Sequence, residues 1–111
     1  MNTVEIDMFG RTFVLRQTKH LETQDDQLWR RWIYSEKGFQ LALCKSMVTG
    51  NFNAYVNFDE EKPTVRRFNI WGIESDKPEE SIRSLQESIV SVGMLFSNVL
   101  RGQKIGQKIE S

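Results

Sequence analysis

Few of the 111 residues offer reactive chemistry. The chain has one cysteine, Cys44, and one histidine, His20. A thiol attacks efficiently when a neighbouring base takes its proton, so a Cys–His nucleophile would need these two positions to converge. Nothing in their spacing favours that. His20 falls in a polar stretch and reads as a solvated loop residue, and Cys44 reads as a half-buried strand residue. A structural zinc site takes about four cysteine or histidine ligands, more than the chain holds. Asp25 with Asp26, and Asp59 with Glu60 and Glu61, are carboxylate runs that could hold a hard cation. Neither has the alternating ligands and central glycine of a calcium loop. The glycines are scattered and form no phosphate-gripping loop. The expectation is therefore no catalytic residue, no cofactor and no metal. A small enzyme using a pair of carboxylates is the remaining alternative in that class.

Residues suited to surface recognition are more plentiful. Arginines stand in pairs at Arg30–Arg31 and Arg66–Arg67, among three tryptophans, two tyrosines and seven phenylalanines. Aromatic rings with interleaved arginines on a sheet face are one physical route to single-stranded nucleic acid. Against that reading, fifteen basic and fifteen acidic residues cancel to zero net charge, so no overall field attracts phosphate. The acids at 59–61 and 74–80 would also border the same region. Tryptophan, tyrosine and arginine are equally the residues that carry binding energy between proteins. A protein-binding face is thus expected, built from Arg30, Trp32, Tyr34, Asn53, Tyr55, Asn57 and Arg66. The two asparagines flanking Tyr55 supply hydrogen bonds without a charge to desolvate. On this reading Tyr55→Ala weakens partner capture and leaves the melting temperature nearly unchanged.

The elements that must position these residues are legible in the alternation. Val4, Ile6 and Met8 alternate with acids, and Phe13 and Leu15 resume the pattern beyond Gly10, as in a hairpin over 4–15. Residues 18–27 are polar and read as a loop. Residues 29–35 are rich in aromatics and favour a strand over a helix. On it Trp29, Arg31 and Ile33 share one face, with Arg30, Trp32 and Tyr34 on the other. Phe39, Leu41 and Leu43 mark the next strand, and Ala54, Val56 and Phe58 the one after, with Thr49-Gly50-Asn51 as the turn between them. The charged break at 59–63 contains a proline and precedes a last strand over 64–71, where Arg66 and Arg67 blur the phase enough for a bulge.

A helix follows. Asp76 is placed to cap it, with Pro78 in the first turn and Glu79 three residues after the cap. Ile82, Leu85, Ile89, Val92, Phe96 and Val99 recur at helical spacing and predict one helix reaching about Leu100. The same spacing fits a self-pairing helix, but a sheet of this size needs a cover and no other segment supplies one. Gly93 is expected where helix and sheet approach closely. The tail repeats Gly-Gln-Lys-Ile at 102–105 and 106–109 and reads as a flexible, mildly basic end.

These readings combine into an α+β fold: an antiparallel sheet of about five strands, an N-terminal hairpin plus a meander, covered on one face by a long C-terminal helix. One domain spans 1–101 and the tail 102–111. Neither a signal peptide nor a membrane-spanning run is evident, so a cytoplasmic protein with no membrane contact is expected. The expected function is a small non-catalytic protein-binding module, such as an adaptor, an inhibitor, an immunity-type protein or a chaperone-like subunit. Its partner is an unidentified protein or, through the sheet, a second copy in a homodimer. Nucleic acid is the less favoured alternative.

Overall fold

The computed structural model describes residues 2–59 and 67–102. The chain runs β1 (Thr3–Met8), β2 (Arg11–Gln17), β3 (Glu22–Gln24), β4 (Gln27–Glu36), β5 (Phe39–Ser46), β6 (Phe52–Asp59) and β7 (Arg67–Trp71). Two helices follow, α1 (Pro78–Val92) and α2 (Met94–Leu100). The strands form one antiparallel sheet in the order β1-β2-β4-β5-β6-β7, with β3 paired to β4 beside the end of β2. This is the expected α+β arrangement in outline, with more strands and a divided helix.

Tight turns fix the register. Phe9 and Gly10 both have positive φ, 52° and 74°, the conformation whose twist matches a two-residue hairpin loop. The loop expected over 18–27 turns out to contain β3 and the start of β4. Asp25 and Asp26 also take positive φ, 52° and 59°, and join the two strands with Gln24 opposite Gln27. Aspartate tolerates this region better than most side chains, which lets a polar run close a hairpin.

One face of the sheet carries the main core. Ile6, Met8, Phe13, Leu15, Phe39, Leu41, Leu43, Val56 and Phe58 bury against Leu85 and Ile89 of α1 and Val99 and Leu100 of α2. Removing a side chain of this size from water is worth roughly 2 kcal/mol, so this layer dominates the stability.

Two expectations about the helix need correction. The chain does not continue helically through Gly93, which has φ 144° and ψ 161° and separates α1 from α2. Nor does Gly93 approach the sheet, since nothing lies within 4 Å of where its Cβ would be. The close approach is at Gly72, where a Cβ would run into the Ser81 carbonyl oxygen and lie 3.2 Å from the Leu85 Cβ. Serines complete this contact: Ser81 Oγ accepts the Ala54 N–H at 2.8 Å and Ser84 Oγ accepts the Ile73 N–H at 2.9 Å. The interruption also changes the apolar stripe, leaving Val92 exposed while Val99 and Leu100 are buried.

At the start of α1 the expected Asp76–Glu79 cap does not form: Lys77 is the N-cap residue and no side chain among the described residues accepts a first-turn N–H. Ser75 Oγ accepts the Lys77 N–H at 3.1 Å and donates to Glu80 at 2.7 Å. No helix among the described residues is long and apolar enough to cross a membrane.

Candidate functional site: the open face of the sheet

The face opposite the helices is defined by register. The short turn at Lys37-Gly38 sets Glu36 opposite Phe39, which places Tyr34 opposite Leu41 and Trp32 opposite Leu43. Those leucines are buried under the helices, so their partners must be too. Trp32 is 6% exposed within the main core, and Tyr34 packs its ring 5.2 Å from Phe13 and 6.0 Å from Phe39. Arg30 shares their face, opposite Lys45. The expectation that Arg30, Trp32 and Tyr34 form the outer surface is therefore corrected: they lie on the helix side. Trp29, Arg31 and Ile33 take the open face instead. Arg66 lies outside the described residues.

Three other expected residues do reach the open face: Asn53, Tyr55 and Asn57, all from β6. Tyr55 stands opposite Ala42 on β5 and Trp71 on β7. Ala42, Cys44 and Tyr55 form a second, smaller apolar cluster, against which Trp29 and Ile33 pack. Tyr55 is only 6% exposed, so an alanine there removes packing as well as surface, contrary to the near-unchanged melting temperature expected from sequence. The Trp71 ring leans on Tyr55 with centroids 4.4 Å apart and 32° between planes, and is itself 41% exposed. Beside this pair a concavity of about 240 Å³ is lined by Gln24, Asp25, Trp29, Cys44, Asn53, Trp71 and Glu74.

Polar groups thread through the cluster. The Arg31 guanidinium donates to the Tyr55 hydroxyl at 3.1 Å and pairs with the Glu22 carboxylate. Burial opposes the Arg31 charge, but the Tyr55 hydrogen bond and the Tyr55 and Glu22 charges outweigh it and raise its pKa. Burial likewise raises the Tyr55 hydroxyl, with the Arg31 bond acting the other way. Asn53 Nδ2 donates to the Gly72 carbonyl at 2.9 Å. Two buried atoms, Arg31 Nε and Asn57 Oδ1, find no hydrogen-bond partner among the described residues.

Burial pushes the Cys44 thiol up to about 12, with nearby Arg31 opposing and Glu22 adding to the effect. Near neutral pH it is a thiol and not the thiolate a nucleophile needs. His20 sits exposed between β2 and β3, and no hydrogen bond links it to Cys44. No group of three histidine, cysteine, aspartate or glutamate side chains among the described residues is arranged to hold a metal ion.

Sequence reasoning assigned the two faces of β4 in reverse, although a usable signal was present. Counting back from the two-residue turn at Lys37-Gly38 ties Trp32 and Tyr34 to the leucine face of β5. Trp71 could not be counted in this way, because residues 60–66 separate β6 from β7 and only the pairing with Tyr55 places it. No family model, curated protein or solved structure matches the chain.

Proposed function

We propose that this protein is a small non-catalytic binding module that engages a protein partner through the open face of its sheet. The observation that carries the reading is the Ala42–Cys44–Tyr55 cluster, flanked by Trp29 and a half-exposed Trp71, on the face that neither helix covers. Trp71 and the part-buried Trp29 supply the accessible apolar surface over this buried cluster, and tryptophan bordered by amides and a paired arginine is the composition of an interface centre. The unpartnered Arg31 Nε and Asn57 Oδ1 support it further, because buried polar atoms without partners are rare and costly. The acids around the concavity, Asp25 and Glu74, disfavour a phosphate backbone.

The test is affinity capture from a lysate of the source organism, with half the lysate treated with nuclease. Wild-type protein and Trp71→Ala serve as baits, and complex mass is read by light scattering. One protein held at fixed stoichiometry in both halves, and lost with Trp71→Ala, supports the module. Recovery only without nuclease would transfer the face to nucleic acid. A clean dimer with no other partner would make the ligand a second copy of the chain.

A further inference from the structure

We propose that the concavity on the open face is a receptor for one cationic side chain, a lysine or arginine presented by the partner. The inference rests on the open-face reading and names the chemistry recognised there. At about 240 Å³ the concavity is smaller than a ligand pocket for a drug-sized molecule, which occupies roughly 300–1,000 Å³, and matches a single long side chain.

Its lining is selective for charge. Two indoles, Trp29 and Trp71, contribute aromatic walls, and indole is the best aromatic partner for a cation. Both rings are held in place, Trp29 by donating from Nε1 to the Gln24 carbonyl at 3.2 Å and Trp71 by its contact with Tyr55. Asp25 and Glu74 bring carboxylates to the same space, and neither makes a hydrogen bond or ion pair among the described residues. The one arginine of the neighbouring cluster does not neutralise them, because Arg31 is paired with Glu22. An apolar side chain would desolvate two carboxylates with nothing in return, and an anion would be repelled by them. A cation satisfies carboxylates and ring faces together.

The test uses the unmodified full chain, uniformly 15N-labelled, with the three tryptophan indole signals as reporters. The probes are Nα-acetyl-arginine methylamide, its neutral citrulline counterpart and its norleucine counterpart. The expected result is a saturable shift of the Trp29 and Trp71 indoles by the arginine probe, with the buried Trp32 indole unmoved. Citrulline should bind about tenfold more weakly, and added salt should weaken the arginine probe alone. The double variant Asp25→Asn with Glu74→Gln should keep its folded spectrum and lose the arginine preference. Equal binding of arginine and citrulline or norleucine would overturn the cationic assignment and leave the open-face reading intact. No saturable shift with any probe would overturn it as well, and the open face would then be judged by the Trp71→Ala capture alone.

Discussion

Two arginines of this molecule sit in comparable half-buried positions and are finished in opposite ways. On the helix-covered side, Arg11 donates to Glu36 at 2.9 Å, to the Leu100 carbonyl at the end of α2 at 2.7 Å and to the Tyr34 hydroxyl at 3.4 Å. Its guanidinium also lies 4.7 Å over the Phe13 ring. On the open side, Arg31 holds Tyr55 and Glu22 but keeps a buried Nε without a partner. The first site ties a helix end to the sheet through both terminal nitrogens of its guanidinium. The second orders a face and leaves two buried polar atoms, Arg31 Nε and Asn57 Oδ1, without a hydrogen-bond partner among the described residues. The difference teaches that two comparably buried arginines can be told apart by how far the polar groups around them are hydrogen-bonded, which is the distinction the proposed binding face rests on.

The comparison is sharpened first where the effect is largest. Leu85→Ala, in the contact between α1 and the sheet, should cost about 3 kcal/mol in chemical unfolding, as deletion of a buried leucine side chain typically does. Gly72→Ala should cost about 2 kcal/mol by the same measurement, because α1 must move away from the new methyl group. On the open face, Tyr55→Phe keeps the ring and removes the oxygen that accepts from Arg31, so a loss of about 1–2 kcal/mol is expected. A neutral result there would mean that the Arg31–Tyr55 bond is immaterial to the fold.

The Arg11 site makes a pH prediction. The Arg11 hydrogen bond, with help from Tyr34, holds the Glu36 carboxyl below its ordinary value of 4.5. The folded state therefore releases this proton more readily than the unfolded chain does. Its stabilisation is complete above the ordinary value and is lost as pH falls through the lower folded value. Unfolding midpoints measured across that acid range should decline, and Arg11→Met should flatten the part of the decline due to Glu36. The smallest effect is expected for Trp71→Ala, within about 1 kcal/mol of wild type, because its ring is half exposed.

How much of this was legible in the sequence depends on the kind of signal. Alternation located the strands at Val4–Ile6–Met8, Leu41–Leu43 and Val56–Phe58, because side chains on a strand point alternately to the two faces. Helical spacing found Leu85 and Ile89 for the same kind of reason. Alternation does not say which face is covered, and β4 bears aromatics on both, so Trp32 and Trp29 were indistinguishable without the register. β3 was missed because three polar residues, Glu22 to Gln24, carry no apolar pattern. The close approach expected at Gly93 falls at Gly72 for a third reason: contacts between elements distant in sequence leave no local mark. Of the open face, β6 was found by alternation, while Arg31 and Trp71 needed pairing partners.

The central claim is that the open face, and not the outer side of the helices, makes contact with a partner. Val90, Val92 and Met94 are also exposed apolar residues, so the helices offer a real competing surface. The most direct measurement is an amide and indole shift map of the labelled protein with and without its captured partner. The account predicts the largest changes at Arg31, Ala42, Cys44, Tyr55 and Trp71, with Val90 to Met94 unmoved. Changes confined to Val90, Val92 and Met94, with the Trp71 indole unchanged, would contradict it.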